Sequence, residues 1–167
     1  MKISVPLENG FLPEKYSKHS DIKIGGNPTV SFPIDIEGVP DNAVSLALVF
    51  VDFDSVPVCG FVWIHWTAAN IPADIKQIPE NASRSAALGM VQGANSCASL
   101  FVGEKDASVT RGYIGPTPPD KDHKYKLTVY ALDCEPELNE GFFLNELLDK
   151  MEGHILDKTA VTIPAHC

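Results

Sequence analysis

Between Ser45 and Asp52 the chain reads SLALVFVD, a run of strand length that stays apolar almost to its last residue. A strand sends successive side chains to opposite faces, so a run without polar alternation has no face suited to water. It must be a central strand covered on both sides. "GFVWIHWTAANI" (Gly60–Ile71) is rich in aromatic and branched residues and supplies a second strand. "KYKLTVYALD" (Lys124–Asp133) alternates strictly, with Tyr125, Leu127, Val129 and Ala131 pointing one way and Lys124, Lys126, Thr128 and Tyr130 the other. These patterns predict strands over Ser45–Phe53, Val62–Ala69 and Tyr125–Leu132. A further strand is expected in the second half of "TVSFPIDIEG" (Thr29–Gly38), before the turn signal "GVPDN". Only one stretch has helical spacing: Leu144, Leu147, Leu148, Met151 and Ile155, which predict a helix near Leu144–Glu152 packed on the sheet. "TAVTIPA" after it reads as a short edge strand. Strands joined by turns, with one late helix, predict a mainly β, largely antiparallel architecture.

A chain of 167 residues without repeats or linkers is expected to be a single domain, 1–167, burying roughly 70% of its unfolded surface. It needs no disulfide staples. The net charge of −9 and the scattered distribution of its 13 basic residues argue against nucleic acid and anionic membrane surfaces as partners. No segment approaches the ~18 apolar residues of a membrane span, and "MKISVPLENGFLPEKY" lacks the apolar stretch of a signal peptide. A cytoplasmic location is therefore expected, with Cys59, Cys97, Cys134 and Cys167 as thiols. No C-x-x-C pair occurs, so neither a structural zinc site nor a cofactor is expected. The sequence leaves a Cys59–Cys97 bridge open.

Chemistry-bearing residues fall into three groups. Asp52 and Asp54 end the central strand, two apart; acids there serve either as turn formers or as functional carboxylates. Trp63 and His65, also two apart, would share a face of the next strand about 6.6–7 Å apart. "GYIGPTPPDKDHKY" (Gly112–Tyr125) combines a stiff proline loop with His123 and Tyr125, which point the same way. Gly115 permits close approach by another group. His154, beside Gly153, and the terminal His166 read as structural.

Taken in order, these motifs resemble the phosphatidylethanolamine-binding protein family, specifically its bacterial Raf-kinase-inhibitor-like branch. Asp52-Phe53-Asp54 resembles the family's D-P-D segment, Trp63-Ile64-His65 its W-x-H, and Gly115-Pro116-Thr117-Pro118-Pro119 through His123-Lys124-Tyr125 its glycine-proline loop and H-x-Y. Phe53 departs from the family's middle proline, and an extra residue precedes Pro57. The resemblance implies an antiparallel β sandwich with a C-terminal helix and a pocket for phosphate-bearing head groups. It also implies a cis bond at Val56–Pro57.

The expected function is binding of a small phosphorylated or other anionic ligand by Asp52, Trp63, His65, Gly115, Pro116, Pro118, His123 and Tyr125. Asp52 would hold His65 or His123 protonated, and Asp54 would cap the loop. A binding optimum near neutrality or slightly below follows. A protein partner, such as a kinase or a protease, and a homodimer are left open. The alternative is a hydrolase or metal-dependent enzyme using Asp52, Asp54, His65 and His123, although no H-E-x-x-H or G-x-S-x-G motif is present.

Overall fold

The computed structural model describes residues 1–85 and 88–167. Its strands are β1 (Lys2–Ser4), β2 (Lys23–Ile24), β3 (Asn27–Pro28), β4 (Ile34–Glu37), β5 (Ser45–Asp52), β6 (Trp63–Pro72), β7 (Gln77–Ile78), β8 (Val91–Gln92), β9 (His123–Leu132) and β10 (Ile155–Ala165). Four short helices join them: α1 (Val56–Cys59), α2 (Ala82–Ser85), α3 (Ala107–Thr110) and α4 (Leu144–Met151). The main sheet has the order β10-β9-β5-β6-β8; β1-β4-β7 and β2-β3 form two smaller sheets. All strand pairs are antiparallel.

Every residue of β5 is buried. Leu46, Leu48 and Phe50 enter one core with Phe32, Ile34 and Ile36, while Ala47, Val49 and Val51 enter a second core with Phe142, Leu147 and Met151 of the α4 region. The unbroken apolar run is thus explained by cover on both faces. In β9, Tyr125, Leu127, Val129 and Ala131 are buried and Lys124 and Lys126 exposed, as the alternation predicts. Helix α4 begins where the Glu146 carboxylate accepts the Phe143 N–H at 2.7 Å, satisfying a donor that a helix start leaves open. The edge strand after it runs over Ile155–Ala165, longer than "TAVTIPA" alone, because it pairs along nearly all of β9.

Two local features beside the end of β5 depart from the simple pattern. The β5–β6 register passes from Phe50↔Trp66 to Val51↔Ile64, leaving His65 as the extra residue of a β-bulge. Consequently Trp66 packs in the first core while Ile64 packs against the second. The Val56–Pro57 bond is trans, and no cis peptide occurs among the described residues. Pro57 lies instead in the first turn of α1, where its fixed φ suits a helix and its missing N–H costs nothing. All four cysteines are free, so Cys59 and Cys97 are not bridged.

Candidate functional site

Three neighbouring strands deliver the site. Asp52 ends β5 and pairs in register with Trp63 on one side and Tyr125 on the other. His123 opens β9 and shares a face with Tyr125 by the two-residue period. The bulge turns His65 toward the same place: its ring lies 5.1 Å from that of Tyr125 and 5.6 Å from that of Phe50.

Together they line a cavity of about 170 Å³ with Ser55, Val58, Cys59, Trp63, Thr117, Pro118 and Pro119. That is room for several waters or a small head group. Of the residues singled out in the sequence, Asp52, Trp63, His65, Pro118, His123 and Tyr125 meet here. Gly115 and Pro116 do not line the cavity. Gly115 stands behind the loop, where a Cβ would lie 2.3 Å from the Tyr16 carbonyl oxygen and 2.8 Å from Pro28 Cβ. The group that approaches Gly115 is therefore the protein's own backbone. Gly115→Ala is expected to cost about 1–3 kcal/mol by overpacking and to displace the Thr117–Pro119 wall; urea unfolding of the variant measures this, and an unchanged midpoint would refute it.

Asp54 is also outside the cavity. Its Oδ2 accepts the Lys124 N–H at 2.8 Å, which fixes the start of β9 against the end of β5. This is the capping role expected of it. Asp54 therefore does not line the pocket that Asp52, His65 and His123 share.

Thr117 and Pro119 belong to the Gly115–Pro119 loop that the sequence offers as a wall of the pocket; sequence reasoning missed Ser55, Val58 and Cys59. Ser55 ties the β5–β6 connection together: its N–H donates to Asp52 Oδ1 at 3.2 Å, and its Oγ accepts the Trp63 N–H at 2.9 Å. The same hydroxyl lies 2.7 Å from the Asp52 carbonyl oxygen and 2.9 Å from that of Phe61. The signal for it was its place just after an acid pair, where serine commonly closes turns on its own backbone.

The two histidines differ electrostatically. His123 Nδ1 lies 2.8 Å from Asp52 Oδ2, and its Nε2 lies 2.9 Å from Asp120 Oδ1. Burial opposes a charge on this ring, but the carboxylates of Asp52 and Asp120 outweigh it and raise its pKa above the ordinary value. The bond to His123 in turn lowers the pKa of Asp120. Each nitrogen facing an acceptor-only carboxylate makes His123 an imidazolium. His65 has no such clamp. Burial pushes its pKa down to about 4, against smaller upward pulls from the Ile114 carbonyl and Asp52. Its Nδ1 lies 2.8 Å from the Ile114 oxygen. A carbonyl only accepts, so the proton of neutral His65 is on Nδ1 and Nε2 carries a lone pair. Asp52 therefore serves His123, while His65 is neutral at pH 7. Burial first, and the Asp52 carboxylate second, push Tyr125 above its usual range, so its hydroxyl keeps its proton.

Comparisons with known proteins agree with this architecture. The family model described as phosphatidylethanolamine-binding protein matches residues 2–165. Protein YxkA of Bacillus subtilis is 55% identical over 159 residues, covering 94% of this chain and 95% of the relative. A UPF0098 protein of Methanothermobacter thermautotrophicus is 34% identical over 151 residues, covering 89% and 86%. Among solved structures, the phosphatidylethanolamine-binding protein homolog CT736 of Chlamydia trachomatis superposes with a TM-score of 0.75 at 30% identity, covering 94% of this chain and 90% of that one. Escherichia coli YbcL, described as a member of the mammalian family, superposes with a TM-score of 0.78 over 99% and 98%; at 22% identity it speaks for the fold alone. No helix among the described residues is long and apolar enough to cross a membrane. With the match running from residue 2 to 165, the chain belongs to the phosphatidylethanolamine-binding protein family.

Proposed function

We propose that this pocket receives a small phosphate-type anion and holds it without turning it over. The observation that supports the reading is His123, a buried imidazolium in the pocket wall whose outer N–H is engaged by Asp120, a side chain 51% exposed to solvent. A phosphoryl oxygen can replace that carboxylate as acceptor. The resulting charge-assisted bond is worth about 1.5–3 kcal/mol.

His65 refines the ligand. Its Nε2 lone pair accepts, so it suits a phosphoryl group that still carries one P–OH better than a dianion. A phosphomonoester loses that proton near pH 6. Above this value the complex must take up one proton, on the phosphoryl oxygen or on His65 Nε2. The complex then holds more protons than its separated parts, so affinity falls as pH rises. The optimum, expected from the sequence near neutrality or slightly below, thereby moves below about pH 6.

Calorimetric titration with phosphoethanolamine tests this. Affinity is expected to drop about tenfold from pH 7 to pH 8 with uptake of one proton, the limit for single-proton linkage. His65→Ala should remove most of the affinity together with the pH slope, and His166→Ala, outside the pocket, should change neither. Absence of binding at every pH, or a pH-independent affinity, would contradict the reading. Steady phosphate release from a phosphoester would place the protein among enzymes instead.

A further inference from the structure

Strand β9 begins at the pocket with His123 and runs out, at its other end, into Asp133 and Cys134. At a rise of about 3.4 Å per residue its two ends are about 30 Å apart. At the far end the side chains of Asp133, Cys134 and His154 converge, each bringing one donor atom within 4.8 Å of the other two. We propose that this cluster binds a zinc-class divalent transition metal through a carboxylate, a thiolate and an imidazole, with water in the fourth position.

The donor set selects the class of ion. Sulfur and imidazole nitrogen favour zinc, cobalt and their neighbours, whereas magnesium and calcium prefer sites made of oxygen alone. The geometry is close. With metal–sulfur and metal–nitrogen bonds of about 2.3 and 2.0 Å, two ligands of a tetrahedron stand about 3.5 Å apart. The donors therefore need to draw together by little more than about 1 Å, within reach of rotamer changes in side chains open to solvent. Asp133 and His154 are half exposed, and Cys134 is partly buried.

The backbone under the three ligands is already set. The Asp133 N–H donates to the His154 carbonyl at 3.1 Å, and the His154 N–H to that of Met151 at 3.0 Å. Gly153, at φ 81°, makes the turn that returns His154 to the sheet after α4. The Ser45 hydroxyl holds the Cys134 carbonyl at 2.5 Å. His154 Nδ1 meets Asp133 Oδ1 at 2.7 Å, a hydrogen bond that metal binding through Nδ1 replaces, the ring proton passing to Nε2. Exposed Glu135 and Glu152 flank the ligands in sequence and add negative potential. On binding, Cys134 Sγ gives its proton to water and its electron pair to the metal, so that thiolate and carboxylate balance the two positive charges. No C-x-x-C pair announces such a site, because its ligands come from two segments that only the β9–β10 pairing brings together.

Titration of the full chain with Co²⁺, followed by Zn²⁺, tests the proposal. One equivalent of Co²⁺ should give a thiolate-to-cobalt charge-transfer band with tetrahedral d–d bands, and Zn²⁺ should displace it. Cys134→Ser should lose the charge-transfer band. His154→Ala, at an exposed position, should weaken binding by at least about tenfold, the lower range for losing even an outer-shell partner. Mg²⁺ should not compete. Absence of stoichiometric binding to the wild type would overturn the assignment. So would an unchanged band in Cys134→Ser, which would locate the metal at another thiol, or an unchanged affinity in His154→Ala.

Discussion

Asp52→Ala is expected to lower the unfolding free energy by roughly 3–5 kcal/mol, the cost typical of removing one partner from a buried ion pair. Asp52 is 3% exposed, and its carboxylate accepts from both the Ser55 N–H and the His123 ring. Alanine leaves those donors without their acceptor at the buried wall of the pocket. Asp120 still reaches the outer nitrogen of His123, but from a solvent-exposed side chain that holds a charge less firmly. Asp52→Asn keeps an acceptor without the charge and should recover part of the loss. The pH dependence identifies the cause. The folded pKa of His123 is raised, so its stabilising contribution is complete below the unfolded value of about 6.5 and is lost as pH rises through the folded value. The gap between wild type and Asp52→Ala should therefore be widest at about pH 5–6.5, where carboxylates are ionised and His123 is protonated in both states, and narrow in alkali. Chemical denaturation at a series of pH values reads this directly. A gap that stays constant with pH would mean that Asp52 acts by packing alone.

Acid should destabilise the protein through His65. Its folded pKa of about 4 lies below the unfolded value of 6.5, so between these two the unfolded chain binds one more proton than the native state. Stability then falls as pH drops across that window, by about 3 kcal/mol in total, since each pKa unit corresponds to ~1.4 kcal/mol. His123 adds no slope there, because it is protonated in both states below its unfolded value. Carboxylates whose pKa is lowered in the fold, Asp120 and Asp157 among them, add acid sensitivity of their own. The diagnostic is thus the difference between wild type and His65→Gln, a neutral side chain that can still donate to the Ile114 carbonyl. The variant should lack about 3 kcal/mol of the loss between pH 6.5 and 4. Parallel stability curves for the two proteins would show that His65 is charged in the fold.

Much of the fold was legible in local pattern. The apolar run ending at Asp52 demanded a strand with both faces covered, and the structure places its alternate residues in two separate cores. The alternation in Lys124–Asp133 assigned each side chain of that strand to its face, and the spacing of Leu144, Leu147 and Met151 placed the one substantial helix. These signals are legible because period two and period 3.6 are properties of the backbone itself. The candidate site was legible to a lesser degree. Its chemical residues lie on strands whose facing could be read, whereas Gly115 and Pro116 lie in a loop whose inner and outer sides no period distinguishes.

What the amino-acid sequence determined by itself was which segments are strands and which faces are apolar; that Asp52, His65 and His123 share a pocket was implied by the family resemblance. The tertiary structure alone decided how those residues are charged. Asp52 could have served either histidine; the strand register gives it to His123, and the Ile114 carbonyl takes His65 Nδ1 instead. The bulge at His65 is likewise invisible in the one-dimensional pattern, since it arises from a mismatch between two paired strands. The trans bond at Pro57 follows from the short helix that closes the β5–β6 connection. The physical reason is common to all three: periodicity reports the direction of a side chain from its own backbone. Partner, register and protonation depend on what other segments bring within hydrogen-bond distance, and on how much water that packing removes.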